Sequence, residues 1–192
     1  MQVSSGPIPG KVRYPASVWL RRLLVASLGA TVLAGCGGSA PSRPTPKYTY
    51  GPTPSVSARM ICRPRAVADI NYTLGISPVT APTATWQNHR YACTYRYRHA
   101  TMTLWVQELP TLAQTISYMA GLKQTLGDAG AIANVGQGAF AASNGSAVSR
   151  KDNKVLVVEV GRLPQRFGQP ATSRADVAIT VADVIFACWR GY

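Results

Sequence analysis

The chain is short of acids, of histidine and of long apolar runs, and each shortage removes a class of function. Seven Asp and Glu stand against twenty Lys and Arg, and none of the seven precedes Cys36. The only histidines are His89 and His99. They lie ten positions apart around a strand-like run, a spacing unlike a helical metal pair, and the acids are scattered, so no metal site or acid–base couple is expected. Asn144-Gly145-Ser146 lacks the glycines on both sides of a serine that project a nucleophile from a strand-to-helix elbow. Gly136-Gln137-Gly138 precedes a strand-like run and has no Lys-Ser/Thr or following helix start, so it reads as a backbone turn rather than a phosphate loop. No repeat argues for a solenoid. The residues point to a domain with no visible catalytic set, no metal and no cofactor.

What is present begins with an address. Lys11, Arg13, Arg21 and Arg22 stand ahead of the apolar stretch Leu23 to Leu33, which is eleven residues long. A bilayer-crossing helix needs about 20, so a cleaved export signal is expected over residues 1–35 rather than a membrane span. Leu33-Ala34-Gly35-Cys36 closes the stretch with two small residues before a cysteine, the form of a lipoprotein processing site, and makes Cys36 the expected acylated N-terminus. Arg21-Arg22 before Leu23-Leu24 hints at twin-arginine export, without the polar residues of the full motif. A diacylglyceryl group brings two acyl chains, and two chains hold a protein stably where one gives only marginal binding. The mature protein is therefore expected on the extracytoplasmic face of the cell membrane.

From Cys36 to Ser57 the chain is dense in Pro, Gly, Ser and Thr and reads as an extended linker, leaving residues 58–192 as one domain. The mature chain keeps sixteen of the basic residues and all seven acids, a net charge of +9. That excess suggests attraction to anionic headgroups, acidic wall polymers or an envelope protein; nucleic acid is an unsuitable partner for an exported chain. Beyond Cys36 the cysteines are Cys62, Cys93 and Cys188, an odd number in an oxidising compartment. A Cys62–Cys93 bridge with Cys188 unpaired and buried is expected, because Cys93 lies in a strand-like run and Cys188 falls on the apolar stripe of a closing helix.

Hydrophobic periodicity supplies the elements. Val67, Ile70 and Leu74, followed by Gly75, predict a helix over Pro64 to Leu74. Tyr91, Cys93, Tyr95 and Tyr97 alternate with Thr94, Arg96 and Arg98, and Met102, Leu104 and Val106 alternate with Thr101, Thr103 and Gln107, predicting two strands around a turn at His99-Ala100. The tyrosines then pack inward, and Arg96 and Arg98 face water or an anionic ligand; this separation of rings from cations argues against a nucleic-acid platform. Thr111 and Gln114 form a capping box before a helix with Leu112, Ile116, Met119 and Leu126, ending at Gly127. Ala147 to Arg150 and Val155 to Val160 flank a polar turn as a hairpin, and Ser173 and Asp176 cap a last helix with Val177, Val181, Val184 and Cys188 on one face. This order predicts an α+β domain, an antiparallel sheet with helices packed on one face.

Cys36, Cys62, Leu74-Gly75, Cys93-Thr94-Tyr95, the Val135-Gly136-Gln137-Gly138-Ala139-Phe140 turn and the Val155 to Val160 strand together resemble a family of small actinobacterial, mycobacterial-type lipoproteins of unknown function. The resemblance implies an extracytoplasmic, disulfide-containing α+β domain and carries over no catalytic residue; Cys188 departs from the family's two-cysteine pattern. The function expected is that of a membrane-anchored, non-enzymatic binding or accessory domain of the envelope. The alternative is a cell-wall or glycolipid-modifying hydrolase or transferase, whose mark would be a deep pocket joining His89 or His99 to an acid. Replacing Cys36 by Ala is expected to release the protein from membranes or leave an uncleaved precursor, and membrane fractionation with gel migration checks it. A variant that fractionates and migrates like the parent contradicts the lipoprotein reading.

Overall fold

The computed structural model describes residues 48–49 and 51–189; the expected export signal, Cys36 and most of the expected linker lie outside the described residues. Four helices, α1 (Val56–Arg59), α2 (Pro64–Leu74), α3 (Leu112–Leu126) and α4 (Arg174–Trp189), accompany nine strands. Seven form one antiparallel sheet in the order β1-β2-β3-β7-β6-β5-β4: β1 (Thr83–Gln87), β2 (Arg90–Tyr97), β3 (Ala100–Glu108), β4 (Gly130–Ala131), β5 (Ala139–Ala141), β6 (Ala147–Lys151) and β7 (Lys154–Glu159). The short hairpin β8 (Arg166–Phe167) and β9 (Thr172–Ser173) stands apart. The fold is mixed α+β, as the sequence pattern predicts.

The two central strands explain the sheet. In β7 the run Val155-Leu156-Val157-Val158 is buried throughout, and in β3 Met102, Leu104 and Val106 are buried on one face while Trp105 is buried on the other. Such strands need cover on both sides. The first face, with Tyr95, Met102, Leu104, Leu156 and Val158, packs into one core with α2 and α4. The second face, with Trp105, Val148, Val155, Val157 and Phe140, packs against Tyr118, Met119, Leu122 and Leu126 of α3. Helices thus lie on both faces, which corrects the expectation of one-sided cover: β-branched residues at consecutive positions of β7 leave neither face fit for water.

The helix boundaries follow their capping chemistry. Arg63 precedes Pro64 at the first position of α2, and Gly75 closes it in a left-handed conformation at φ +64°. A β-carbon at Gly75 would meet the Gln169 carbonyl oxygen, so this close approach requires glycine. Thr111 Oγ1 accepts the Gln114 N–H at 3.2 Å to start α3, and Ser173 Oγ accepts the Asp176 N–H at 3.1 Å ahead of α4. The buried face of α3 differs from the one expected. Thr115, Tyr118, Met119, Leu122 and Leu126 meet the sheet, whereas Leu112 and Ile116 face outward. Trp105 and Phe140 offer a broad aromatic floor that takes the flank containing Tyr118 and Leu122, rotating the leucine and isoleucine at the start of the helix away from it.

Cys62 and Cys93 are bonded, joining the turn after α1 to β2 across a sequence separation of 31. A crosslink closing a loop of this length stabilises by about 3–4 kcal/mol in the chain-entropy account. Cys188 is free but only half-buried, a correction to its expected full burial. The inward face of α4 is Val177, Val181, Ala182, Ile185 and Trp189, and Val184 and Cys188 lie on its flank beside α2. Segments expected to be irregular also carry structure. Strand β1 pairs along β2 from Thr83↔Thr94 to Gln87↔Arg90, and the chain makes specific contacts well before Ser57: Tyr48 N–H donates to Pro110 O at 2.8 Å, and Trp86 Nε1 donates to Pro52 O at 2.8 Å.

Two buried tyrosines one turn of alternation apart have opposite roles. Tyr95 Oη donates to the Ile61 carbonyl at 2.6 Å, tying β2 to the turn behind α1, while Tyr97 Oη has no hydrogen-bond partner among the described residues. Burial raises both phenols, Tyr97 to about 12 and Tyr95 further. A phenol raised above its unfolded value contributes stability that is complete below about pH 10 and is lost as pH climbs towards the native value, because only the unfolded chain ionises there. Tyr95→Phe is expected to cost about 1–2 kcal/mol by orphaning a buried carbonyl, and Tyr97→Phe to change stability by under about 0.5 kcal/mol while flattening the alkaline loss. Denaturant melts between pH 8 and 11, windows set by these phenols, check both; equal costs for the two variants contradict the assignment.

Candidate functional site

The second face of the sheet is longer than the helix that covers it. Register aligns Arg90, Ala92, Thr94 and Arg96 of β2 with Gln107, Trp105, Thr103 and Thr101 of β3, and continues Trp105 and Thr103 into Val157 and Glu159 of β7. The rows from Arg90 to Trp105 lie beside α3. The rows beyond, Thr94–Thr103–Glu159 and Arg96–Thr101, carry hydroxyls and charge and remain open.

Trp105 marks the border. On one side the Arg90 guanidinium stands 4.2 Å from its ring centroid and donates from Nη2 to Tyr118 Oη at 2.8 Å, so this arginine joins β2 to α3. On the other side the indole Nε1 donates to Glu159 Oε1 at 2.8 Å. The carboxylate of the open region is thereby oriented at its edge. A buried indole also gains the partner that its N–H requires.

Beyond that border, Thr94, Arg96, Thr101, Thr103 and Arg162 line an open depression of about 770 Å³, together with Arg98 and His99 from the β2–β3 turn. A second hollow of about 360 Å³ shares Thr101, Thr103 and Arg162 and adds Asn144 and Glu159, so the two form one polar surface. Arg96, Arg98 and Arg162 are all exposed, and none has a carboxylate within ion-pair distance among the described residues. Guanidinium forks without an internal partner, above a floor of threonine hydroxyls, suit a phosphate or carboxylate group.

The expected site residues are therefore only partly brought together in the expected way. Arg96 occupies the outward face of β2 as its alternation requires. Arg98 instead belongs to the two-residue turn Arg98-His99, one position earlier than the turn expected at His99-Ala100, and reaches the same depression from its rim. Arg162 was not legible as a partner: it follows β7, some 60 positions downstream, and only the β3–β7 pairing brings it beside Arg96. His89 and His99 sit in the turns at opposite ends of β2, a separation of about 25 Å at 3.3 Å per residue, and do not converge. Among the described residues no three His, Cys, Asp or Glu gather as metal ligands, and no helix is long and apolar enough to cross a membrane.

A groove of about 700 Å³ between α2 and α4 has a different character. Met60, Tyr72, Val184 and Cys188 line it with the ion pair Arg65–Asp69 at its edge. Burial, and after it the charge of Asp69, pushes the Cys188 thiol up, which keeps it protonated and a weak nucleophile. The basic end of the sheet, with Arg96, Arg98 and Arg162 around threonine hydroxyls, is the candidate surface for a ligand. Comparison of the chain with protein-family models, with curated proteins and with solved structures yields no match.

Proposed function

We propose that this protein is a lipid-anchored extracytoplasmic binding domain of the cell envelope, akin to the small actinobacterial lipoproteins it resembles, and that its open basic sheet end takes an anionic envelope polymer. The observation that carries the reading is the group Arg96, Arg98 and Arg162 around a threonine floor, without a carboxylate partner among the described residues. The lipid anchor rests on Leu33-Ala34-Gly35-Cys36 behind a basic leader. Position favours a polymer over the headgroups of the anchoring membrane. The chain enters the domain at Tyr48, beside Pro110, whereas the arginines lie around the start of β3; the eight steps from Ala100 to Glu108 span about 27 Å. A ligand held at that far end lies away from the point where the chain leading to the anchor joins the domain.

The depression is shallow and wide, which suits a repeating chain of phosphate or carboxylate groups engaged at several points better than one small molecule. Binding of the full chain to a phosphodiester-linked wall polymer, with a neutral polysaccharide as control, tests the reading. Affinity is expected to fall steeply with salt, since exposed charges are screened within about 8–10 Å at physiological ionic strength. Arg96→Gln combined with Arg162→Gln is expected to weaken binding at least about tenfold while changing stability by under about 0.5 kcal/mol, the usual range for exposed positions. Salt-insensitive binding, or a double variant that binds like the parent, contradicts the proposal.

A further inference from the structure

The end of the sheet opposite the arginines is where the incoming chain is fastened. Tyr48 N–H donates to Pro110 O, Pro52 O accepts from Trp86, and Ser55 N–H donates to Glu108 Oε1 at 3.0 Å, so the incoming chain is fastened to this end at three points. Glu108 is 1% exposed and lies across from Lys154, whose ammonium stands 4.7 Å from the Tyr48 ring centroid. Immediately after Pro110, α3 turns Leu112 and Ile116 outward, 42% and 52% exposed. Val56, beside the fastened Ser55, is 40% exposed. Three of the five exposed large apolar side chains of the described domain thus stand at the end where the chain enters.

We infer that this end, centred on Leu112 and Ile116 of α3, is a seat on the lipid bilayer, and that the domain stands on it with the basic site turned away. The inference rests on the reading of Cys36 as the lipidated residue. Three observations identify the bilayer as the occupant. First, twelve residue steps separate Cys36 from Tyr48, a reach of at most about 40 Å even when fully extended, and Tyr48 is fixed beside the start of α3. The chain that leads to the anchor leaves the described domain at this end, so tethering raises the effective concentration of bilayer at it and favours a weak apolar contact. Second, the composition is interfacial: Leu112, Ile116 and Val56 are accompanied by Trp86 and Tyr48, the ring types that collect at headgroup depth. Third, the charge is compatible with an anionic surface. No Asp or Glu occurs in Leu112–Leu126, and Arg90 and Lys154 flank the seat; of the exposed acids near the β6–β7 turn, Asp152 is held by Gln137 Nε2 at 2.9 Å and Asp183 belongs to α4, on the sheet face opposite α3. A shallow groove of about 690 Å³ lined by Leu109, Pro110, Tyr118 and Leu122 runs along the same helix and extends the apolar area.

The full mature chain, carrying its lipid and reconstituted in vesicles of phosphatidylglycerol and phosphatidylcholine that contain a photoactivatable phospholipid, tests the seat. Mass spectrometry of the same sample reports whether Cys36 bears the diacylglyceryl group. Lipid crosslinks within the domain are expected to concentrate on the peptide containing Leu112 and Ile116 and to spare the Arg96–Arg98 turn. Two side chains each about half exposed amount to one whole apolar transfer, so Leu112→Ser with Ile116→Ser should lower the seated-to-unseated ratio about tenfold, with the melting temperature within about 2 °C of the parent. A chain without lipid on Cys36 removes the premise and the proposal together. A lipidated chain whose crosslinks spread evenly over the domain, or fall on the arginine turn, overturns the seat alone. Crosslinks from α3 to a second copy of the chain, rising with protein-to-lipid ratio, overturn it in favour of a dimer face.

Discussion

One helix covers one part of one sheet face, and the function argued for this molecule depends on what that helix leaves bare. Helix α3 has fifteen residues, a length of about 22 Å, and its packed side chains reach Trp105, Val157, Val148 and Phe140. The apolar half of the second face needs this cover because β7 buries consecutive β-branched residues. The polar half has none to offer and none to accept. Trp105 joins the halves, with Arg90 stacked on its ring towards the helix and Glu159 accepting its indole N–H towards the open side.

The result is a molecule with two chemically different ends. At one, Glu108, Pro110 and Trp86 fasten the incoming chain, and apolar side chains crowd the start of α3. At the other, Arg96, Arg98 and Arg162 surround threonine hydroxyls. Antiparallel pairing enforces the separation: β2 and β3 run the length of the sheet between the two ends, so residues near Arg90 and Glu108 belong to one and residues near Tyr97 and Ala100 to the other. The Cys62–Cys93 bond and the Tyr95 hydrogen bond to Ile61 fasten the middle of β2 to the turn behind α1.

Much of this was legible in the sequence wherever one period dominated. The alternation from Tyr91 to Tyr97, the Thr111 and Ser173 caps and the Gly75 stop specify β2, α2, α3 and α4 to within a residue or two, and the Cys62–Cys93 bond expected from the strand position of Cys93 is the one formed, although three domain cysteines alone leave the pairing open. The elements that the sequence does not announce lack a periodic signal. Strand β1 is a mostly exposed edge in which Trp86 is the only large apolar residue, so no buried face announces it. The outward turn of Leu112 and Ile116 depends on the aromatic floor beneath α3, a tertiary preference that a helical pattern of apolar residues does not contain. The same limit applies to the site: Arg96 was visible as an outward strand residue, but its neighbour Arg162 is brought in only by the non-local pairing of β3 with β7.

The central claim, that the far end of the sheet is the anion-binding surface, is tested most directly by arginine-selective chemical modification of the full chain with and without a phosphodiester-linked wall polymer. The account predicts that the polymer protects Arg96, Arg98 and Arg162 while Arg59 and Arg63, exposed on the other side of the domain's first helices, modify at unchanged rates. Equal protection of all exposed arginines, or protection of Arg59 and Arg63 alone, would contradict it.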